Sequence, residues 1–485
     1  MSTTSALNSL LSSSEASTSS ASAIDLSSLL QAMTGASTPG IDVNAAVAAA
    51  VSAARAPERI WQADQATLSS QSTDLTSLST AVSNLEADLN TLNDPMGAMN
   101  SLSLTSAQSS VVSGTATTGA VAGTHTVVVN NLVQTGSWYS DPVSSATFAS
   151  GGSFNIVTGS GSNIVSTPIT VASGTTLSQV ASDINGQKLG VTASVITDSS
   201  GSRLSILSNT SGTSGDFSIS AGTNDSGAST PLLGFTQAQA GKDASITVDG
   251  TPATSATNTF SGVLSGVTLN LASASPGTPI GITIAPDAGA VGSAIQSFVT
   301  DYNSIVSGLN SQFTYSTSNG TEGDLSGDST VRALQQQLLT AMTYTAPGGG
   351  ADSNLGSMGI SMGNDGTLTI NSTTLNNELT NNFAAVQSFF QGGALNGFAG
   401  QLSTQLSTYT DPSDGAFTVD LQSISSTNTS LTSQINDFET NYITPLQTNL
   451  QSEFSQAEIA LQSMPQQQQM LNAELGNNNN SNNNG

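Results

Sequence analysis

The spacing of apolar positions along the chain changes twice, and each change marks a new kind of element. In "PGIDVNAAVAAAVSAARAPE", Val43, Val47 and Val51 recur every four residues, Asp42 is placed to cap the first turn, and Pro57 interrupts, so a helix is expected. Trp61, Leu68, Leu75, Val82 and Leu89 then recur every seven residues, with Leu78, Leu85 and Leu92 on a second seam, weakened by Asp64 and Gln71 and closed by Pro95. A heptad of this kind describes either a coiled-coil seam or one stripe of a helix buried in its own core. From about residue 105 to 286 the period falls to two. "HTVVVNNL", "SFNIVT", "VTASVI", "RLSILS", "ASITVDG" and "GVTLNLAS" read as strands rich in β-branched residues and separated by Gly, Asn and Ser.

Helical spacing returns at 287, where Val291, Ile295, Phe298, Tyr302, Ile305 and Leu309 form one stripe. Shorter helices are expected in "STVRALQQQLL", "TTLNNELTNNFAAVQSFF" and "LNGFAGQLSTQLSTY", around a hairpin "GISMGNDGTLTI" turned at Asp365-Gly366. Leu421, Ile424, Leu431, Ile435, Phe438 and Tyr442 begin a final long helix, and Leu446, Leu450, Phe454, Leu461 and Met464 continue it. Thr444-Pro445-Leu446-Gln447 reads as a capping box with Pro at the first helical position, so a kink or restart is expected there. The expected fold is α+β multidomain, with helices from both chain ends forming coiled-coil or bundle legs and antiparallel β-rich domains inserted between them. The expected boundaries are a disordered extension over 1–39, a helical leg over 40–105, a first β domain over 106–142 and 239–286, and a second, inserted one over 143–238. A helical domain with a hairpin over 287–414, a second leg over 415–475 and a disordered Asn-rich tail over 476–485 complete the chain.

Composition narrows the function. Charged residues are 8% of the chain, against about 25% in ordinary soluble proteins. Six basic residues face 32 acidic ones, a net charge of −26, which opposes binding to phosphate backbones and anionic lipid. No run approaches the ~20 apolar residues of a membrane span. Cysteine is absent, so thiolate catalysis, thiolate zinc and disulfides are excluded, and a single histidine, His125, sits in a strand-like run where a surface or hydrogen-bonded role is expected. "GSGSN" at 159–163 has no basic residue nearby, and "SNGTEGDLSGDST" lacks the EF-hand spacing; Asp328 or Ser329 is expected to cap a helix instead. No catalytic residue, cofactor or metal site is expected, and the reading is of a non-enzyme. Nothing before Arg55 is basic and no apolar leader core precedes it, yet the Cys-free, Ser/Thr/Asn-rich composition suits a protein outside the cell. Lys242, in "GKDASITVDG", stands at a strand entrance where edge charge discourages wrong pairing.

That stretch carries a wider resemblance. "LLGFTQAQAGKDASITVDGTPATSATNTFSGVLSGVTLNL" resembles the flagellar hook-associated protein 2 (filament-capping) family in its "LGF", "GxDA…TVDG" and "NxF…GVTLxL" order. "GIDVNAAVAAAVSAARAP", "AIQSFVTDYNSIVSGL", "LSGDSTVRALQQQL" and "GISMGNDGTLTINSTTLNNEL" are similar to further family motifs in the same order. The resemblance implies a structural cap at the distal tip of the flagellar filament, which promotes folding and insertion of exported flagellin and prevents its loss. It implies export through the flagellar type III apparatus without a cleaved signal, an export chaperone, hook-filament junction proteins as neighbours, and a homo-oligomer, most often a pentamer. A surface adhesin binding glycans through the β domains is the alternative. The expected assembly interface is the seam of Trp61, Leu68, Leu75, Leu78, Val82, Leu85, Leu89, Leu431, Ile435, Phe438, Leu450 and Phe454.

Overall fold

Asp42 accepts a hydrogen bond from the Ala45 amide and starts α1 (Val43–Ala54), the first element of the chain. The computed structural model describes residues 42–159, 163–220, 222, 224–225, 232–315, 322–347, 353–393 and 396–480. The extension expected over 1–39 and the last five residues lie outside the described residues. Arg55 separates α1 from α2 (Ala56–Asn93), so Pro57 falls in a first turn, where its missing N–H has no intrahelical acceptor to lose.

The β region contains β1 (Leu102–Ser106), β2 (Val112–Ala116), β3 (Gly123–Asn131), β4 (Thr135–Ser140), β5 (Gly152–Thr158) and β6 (Val165–Val171). A helix, α3 (Leu177–Gly186), leads to β7 (Val191–Asp198), β8 (Gly201–Ser211), β9 (Phe217–Ser220) and β10 (Phe235–Gln239). β11 (Ala244–Val248), β12 (Thr251–Ser255), β13 (Thr259–Ser261), β14 (Val267–Leu271) and β15 (Ile280–Pro286) complete the set. Among the described residues all strand pairings are antiparallel. The first β domain sets a five-stranded sheet, β1-β15-β3-β11-β12, against a three-stranded one, β13-β14-β2, around Val127, Val129, Ile246, Phe260, Leu269 and Ile282. The inserted domain sets β10-β4-β8-β7 against β6-β5-β9, around Phe154, Ile156, Ile169, Leu204 and Ile206.

Two features of the β region differ from the sequence reading. β4 and β10 pair with each other inside the inserted domain, so the boundary between the two β domains lies near Gln134 and Lys242 rather than at 142 and 239. α3 lies in a stretch read as mostly β, where no helix was expected. Its capping box, Thr176 with Gln179, and its buried stripe of Leu177, Val180, Ala181 and Ile184 satisfy helix rules over only ten residues.

Beyond the β domains come α4 (Ala288–Phe313), α5 (Ser329–Ala341), the hairpin β16 (Ile360–Met362) and β17 (Leu368–Ile370), α6 (Ser372–Asn381), α7 (Phe383–Gln391) and α8 (Phe398–Thr410). Phe298 of α4 meets Phe398 edge-on at 5.7 Å, and Phe389 stacks on Phe398 at 5.3 Å, giving this region a core of rings. α9 (Ala416–Phe438) passes through a π-helical segment, Glu439–Ile443, directly into α10 (Thr444–Asn480). The expected restart at Thr444 does not occur: that residue is helical, at φ −63° and ψ −48°. The widened turn before Pro445 accommodates a residue that lacks an N–H and crowds the carbonyl four positions back. Pro465 lies inside α10, which runs on to Asn480, past the start of the expected tail at 476.

The described residues of 42–83, 304–338 and 405–480 form one compact unit and those of 84–303 and 339–404 another.

Candidate assembly surface and the junction of the β domains

In the first unit, the seam residues divide by burial. Leu75, Leu78 and Val82 are buried, as are Ile305, Leu309, Val331 and Leu334 of the same unit. Gln312 pins this region, donating from Nε2 to Asp74 Oδ2 at 2.8 Å and accepting from the Leu325 amide at 3.0 Å. In the second unit, Leu85 and Leu89 are fully buried. These five seam positions are therefore filled by the chain itself and leave no free surface. The remaining seven, Trp61, Leu68, Leu431, Ile435, Phe438, Leu450 and Phe454, are half-buried.

α1 and α10 enclose a small cluster. Ile443, Val47 and Val51 are buried together, with Val43, Phe438, Leu450 and Phe454 along the rim. Trp61 meets Phe438 edge-on at 5.4 Å, and Phe438 stacks on Tyr442 at 5.1 Å. Arg55 bridges Glu58 at 2.6 Å and Glu439 at 2.7 Å, tying the turn between α1 and α2 to the π-helical segment. Glu439 above all, opposed by desolvation and helped by Glu58, holds the Arg55 guanidinium protonated beyond its usual range. In the same unit, Ile60, Val419, Tyr442, Ile459, Leu461 and Met464 stand 40% or more exposed. Period alone placed Tyr442, Leu461 and Met464 on a stripe; it could not show that they stand exposed among the described residues.

The second unit holds the junction of the two β domains. Gln134 donates to the Lys242 carbonyl at 2.8 Å, Lys242 returns a bond to Gln134 at 3.1 Å, and the Gly212 amide donates to Gln134 at 3.0 Å. Asp243 Oδ1 accepts from the Thr213 amide at 2.7 Å and hydroxyl at 3.0 Å, while Asp216 Oδ1 accepts from the Gly241 amide at 3.0 Å. Gly212 is at φ +79°, and a Cβ there would meet Asp243 Oδ1 at 2.4 Å; one on Gly241 would meet the Gly212 carbonyl at 2.4 Å. Each residue of "GKDA" therefore has a structural task, and Lys242 contributes its backbone. Ala244 is fully buried in the first β domain. Downstream, Asp249 turns the β11–β12 hairpin at φ 48°. Its carboxylate accepts from the Thr126 amide at 2.8 Å and meets His125 Nδ1 at 2.7 Å. The Thr126 bond, then His125, holds Asp249 below the usual carboxylate range. His125 is thus a hydrogen-bonded strand residue.

Two more motifs meet in this unit. Asn303 donates to the Leu368 carbonyl at 2.8 Å and accepts from its amide at 2.6 Å, joining the Tyr-Asn helix to the "DGTL" hairpin. Asp88 of α2 and Asp301 of α4 face one another, and burial first, then the Asp301 charge and hydrogen bond, pushes Asp88 up to about 6. In the first unit, Asp328 caps α5 through the Thr330 and Val331 amides. Among the described residues no cluster of three or more His, Cys, Asp or Glu is placed to hold a metal, and no helix is long and apolar enough to cross a membrane.

Comparison with known proteins agrees with these features. Residues 39–135 match the family described as the flagellar hook-associated protein 2 N-terminus and 241–466 its C-terminus, while 153–210 match the flagellin hook IN motif. The first two matches stop and resume beside the Gln134–Lys242 bridge. The B-type flagellar hook-associated protein 2 of Pseudomonas aeruginosa is 30% identical over 63% of this chain and 69% of its own. The A-type protein of the same species is 29% identical over 76% and 82%. A crystal structure of the D1-D2-D3 domains of the flagellar cap protein FliD from Escherichia coli aligns at a TM-score of 0.49 and 24% identity, over 73% of this chain and 99% of that one. On the sequence matches, the chain belongs to the flagellar hook-associated protein 2 family.

Proposed function

We propose that the chain forms a cap at the distal end of a bacterial flagellar filament, as a ring of identical copies held together by the helices of its first unit. The observation that supports this reading is the exposure of the apolar side chains of Ile60, Val419, Tyr442, Ile459, Leu461 and Met464 on helices from both chain ends. Among the described residues these side chains stand in water, and neighbouring copies would cover them. The family's role supplies the rest: five copies in the ring, export through the flagellar type III apparatus with a chaperone, hook-filament junction proteins as neighbours, and incoming flagellin folded and inserted beneath. The function is structural rather than enzymatic. Deleting the gene in the source bacterium should abolish filaments and release flagellin monomer into the medium, and an epitope-tagged copy should restore filaments and label only their tips. Normal filaments in the deletion strain, or label along the whole filament, would contradict the reading.

A further inference from the structure

Every free sheet edge offers unpaired amides and carbonyls to another chain, and this molecule treats its edges unequally. β6 carries Pro168 and β12 carries Pro252, residues with no N–H to offer. β10 is broken by a register shift between Gln237 and Gln239. β7, eight residues long and last in its sheet, has neither device. Its pairing with β8 closes in the tight turn at Asp198 and Gly201, so the even-numbered residues of β7 bond to β8 and the odd-numbered ones face outward. Ile196, 55% exposed, adds an apolar side chain to this strand.

One odd-numbered residue is occupied. Asn185, near the end of α3, accepts from the Ala193 amide through Oδ1 at 2.8 Å and donates from Nδ2 to the Ala193 carbonyl at 2.8 Å. A carboxamide that takes both groups of one residue reproduces what the next strand would provide. We propose that Asn185 acts as a one-residue strand mimic that closes the β7 edge against antiparallel pairing with β7 of a second copy. An added strand needs a continuous run of outward groups. With Ala193 engaged, only Val195 and Thr197 remain beyond it, too short a run to hold a partner. The device matters in any assembly that brings copies of this domain to high local concentration.

The test uses the full chain. In the wild type, hydrogen exchange should be slow at the Ala193 amide and fast at Val195 and Thr197. Exchange at Ala193 as fast as at Thr197 would overturn the proposal without any variant. Asn185→Ala should then add self-association, raising the weight-average mass about two-fold above wild type at the same concentration, with slowed exchange at Val195 and Thr197. Adding Thr197→Pro, which removes an outward N–H, should return the mass to the wild-type value. Wild-type mass for Asn185→Ala at every concentration, or added mass that survives Thr197→Pro, would overturn it; the latter marks aggregation from an unfolded state.

Discussion

Asp88 and Asp301 lie on two helices of the same unit, and no Lys or Arg hydrogen bond or ion pair reaches either one among the described residues. Asp88 titrates near about 6 in the folded chain against an ordinary value of 3.8, so the folded state takes up a proton that the unfolded state releases. Its contribution is fully present below about pH 4 and is lost as pH rises through about 6. Stability should therefore rise as pH falls from 7 to 5. Asp88→Asn should stabilise the protein at pH 7.5 by about 1 kcal/mol, a figure already reduced for solvent screening, and should flatten that part of the profile. Urea denaturation at several pH values checks this, and an unchanged profile in the variant would refute it. At the junction, Gly212→Ala forces a side chain onto a left-handed backbone and into Asp243, and should cost about 1–2 kcal/mol or more. Asp243→Ala should cost about 1 kcal/mol by leaving the Thr213 amide without its acceptor. Equal stability of either variant to wild type in the same titration would show that the junction is not pinned there.

The π-helical segment has a directional effect at the scale of elements. One extra residue in a helical turn rotates everything after it by roughly 100° relative to an uninterrupted helix. That rotation brings Ile443 onto Val47 and Val51 while Glu439 holds Arg55. Deleting Thr440 removes the residue that the widened turn accommodates, so an ordinary helix should form with Ile443 still on Val47 and Val51, seen as amide exchange across Val43–Ala54 no faster than in the wild type. Faster exchange across α1 in that variant would refute the account. The segment was not legible in the sequence, because its cause is tertiary: Thr444-Pro445 satisfies a capping rule equally well, and only packing selects the continuous path. α3 was hidden differently, its short helical stripe lying among strands of similar composition. The caps at Asp42 and Asp328 and the hairpin at Asp365-Gly366 were legible because their rules are local.

At the scale of the molecule, the period of seven locates an apolar stripe without saying what covers it. Leu75, Leu78, Val82, Leu85 and Leu89 obey the same heptad as Trp61 and Leu68, yet helices of the chain bury the first group and leave the second half-open. Membership of the family was legible because its motifs carry fold-wide tasks: "GKDA" joins the two β domains, and Tyr-Asn grips "DGTL". The central claim is that the exposed apolar side chains of the terminal helices hold copies together. Each such residue is already part-covered, so its burial by a neighbour contributes about 1 kcal/mol, and several per copy must act together to hold a ring. The direct measurement is the solution mass of the full chain, by light scattering across a dilution series, beside a Tyr442→Asp/Ile459→Asp/Met464→Asp variant. The account predicts a discrete multiple of the chain mass for the wild type and the single-chain mass for the variant, with identical circular dichroism. A wild type that is monomeric at every concentration, or a variant of equal mass, would contradict it.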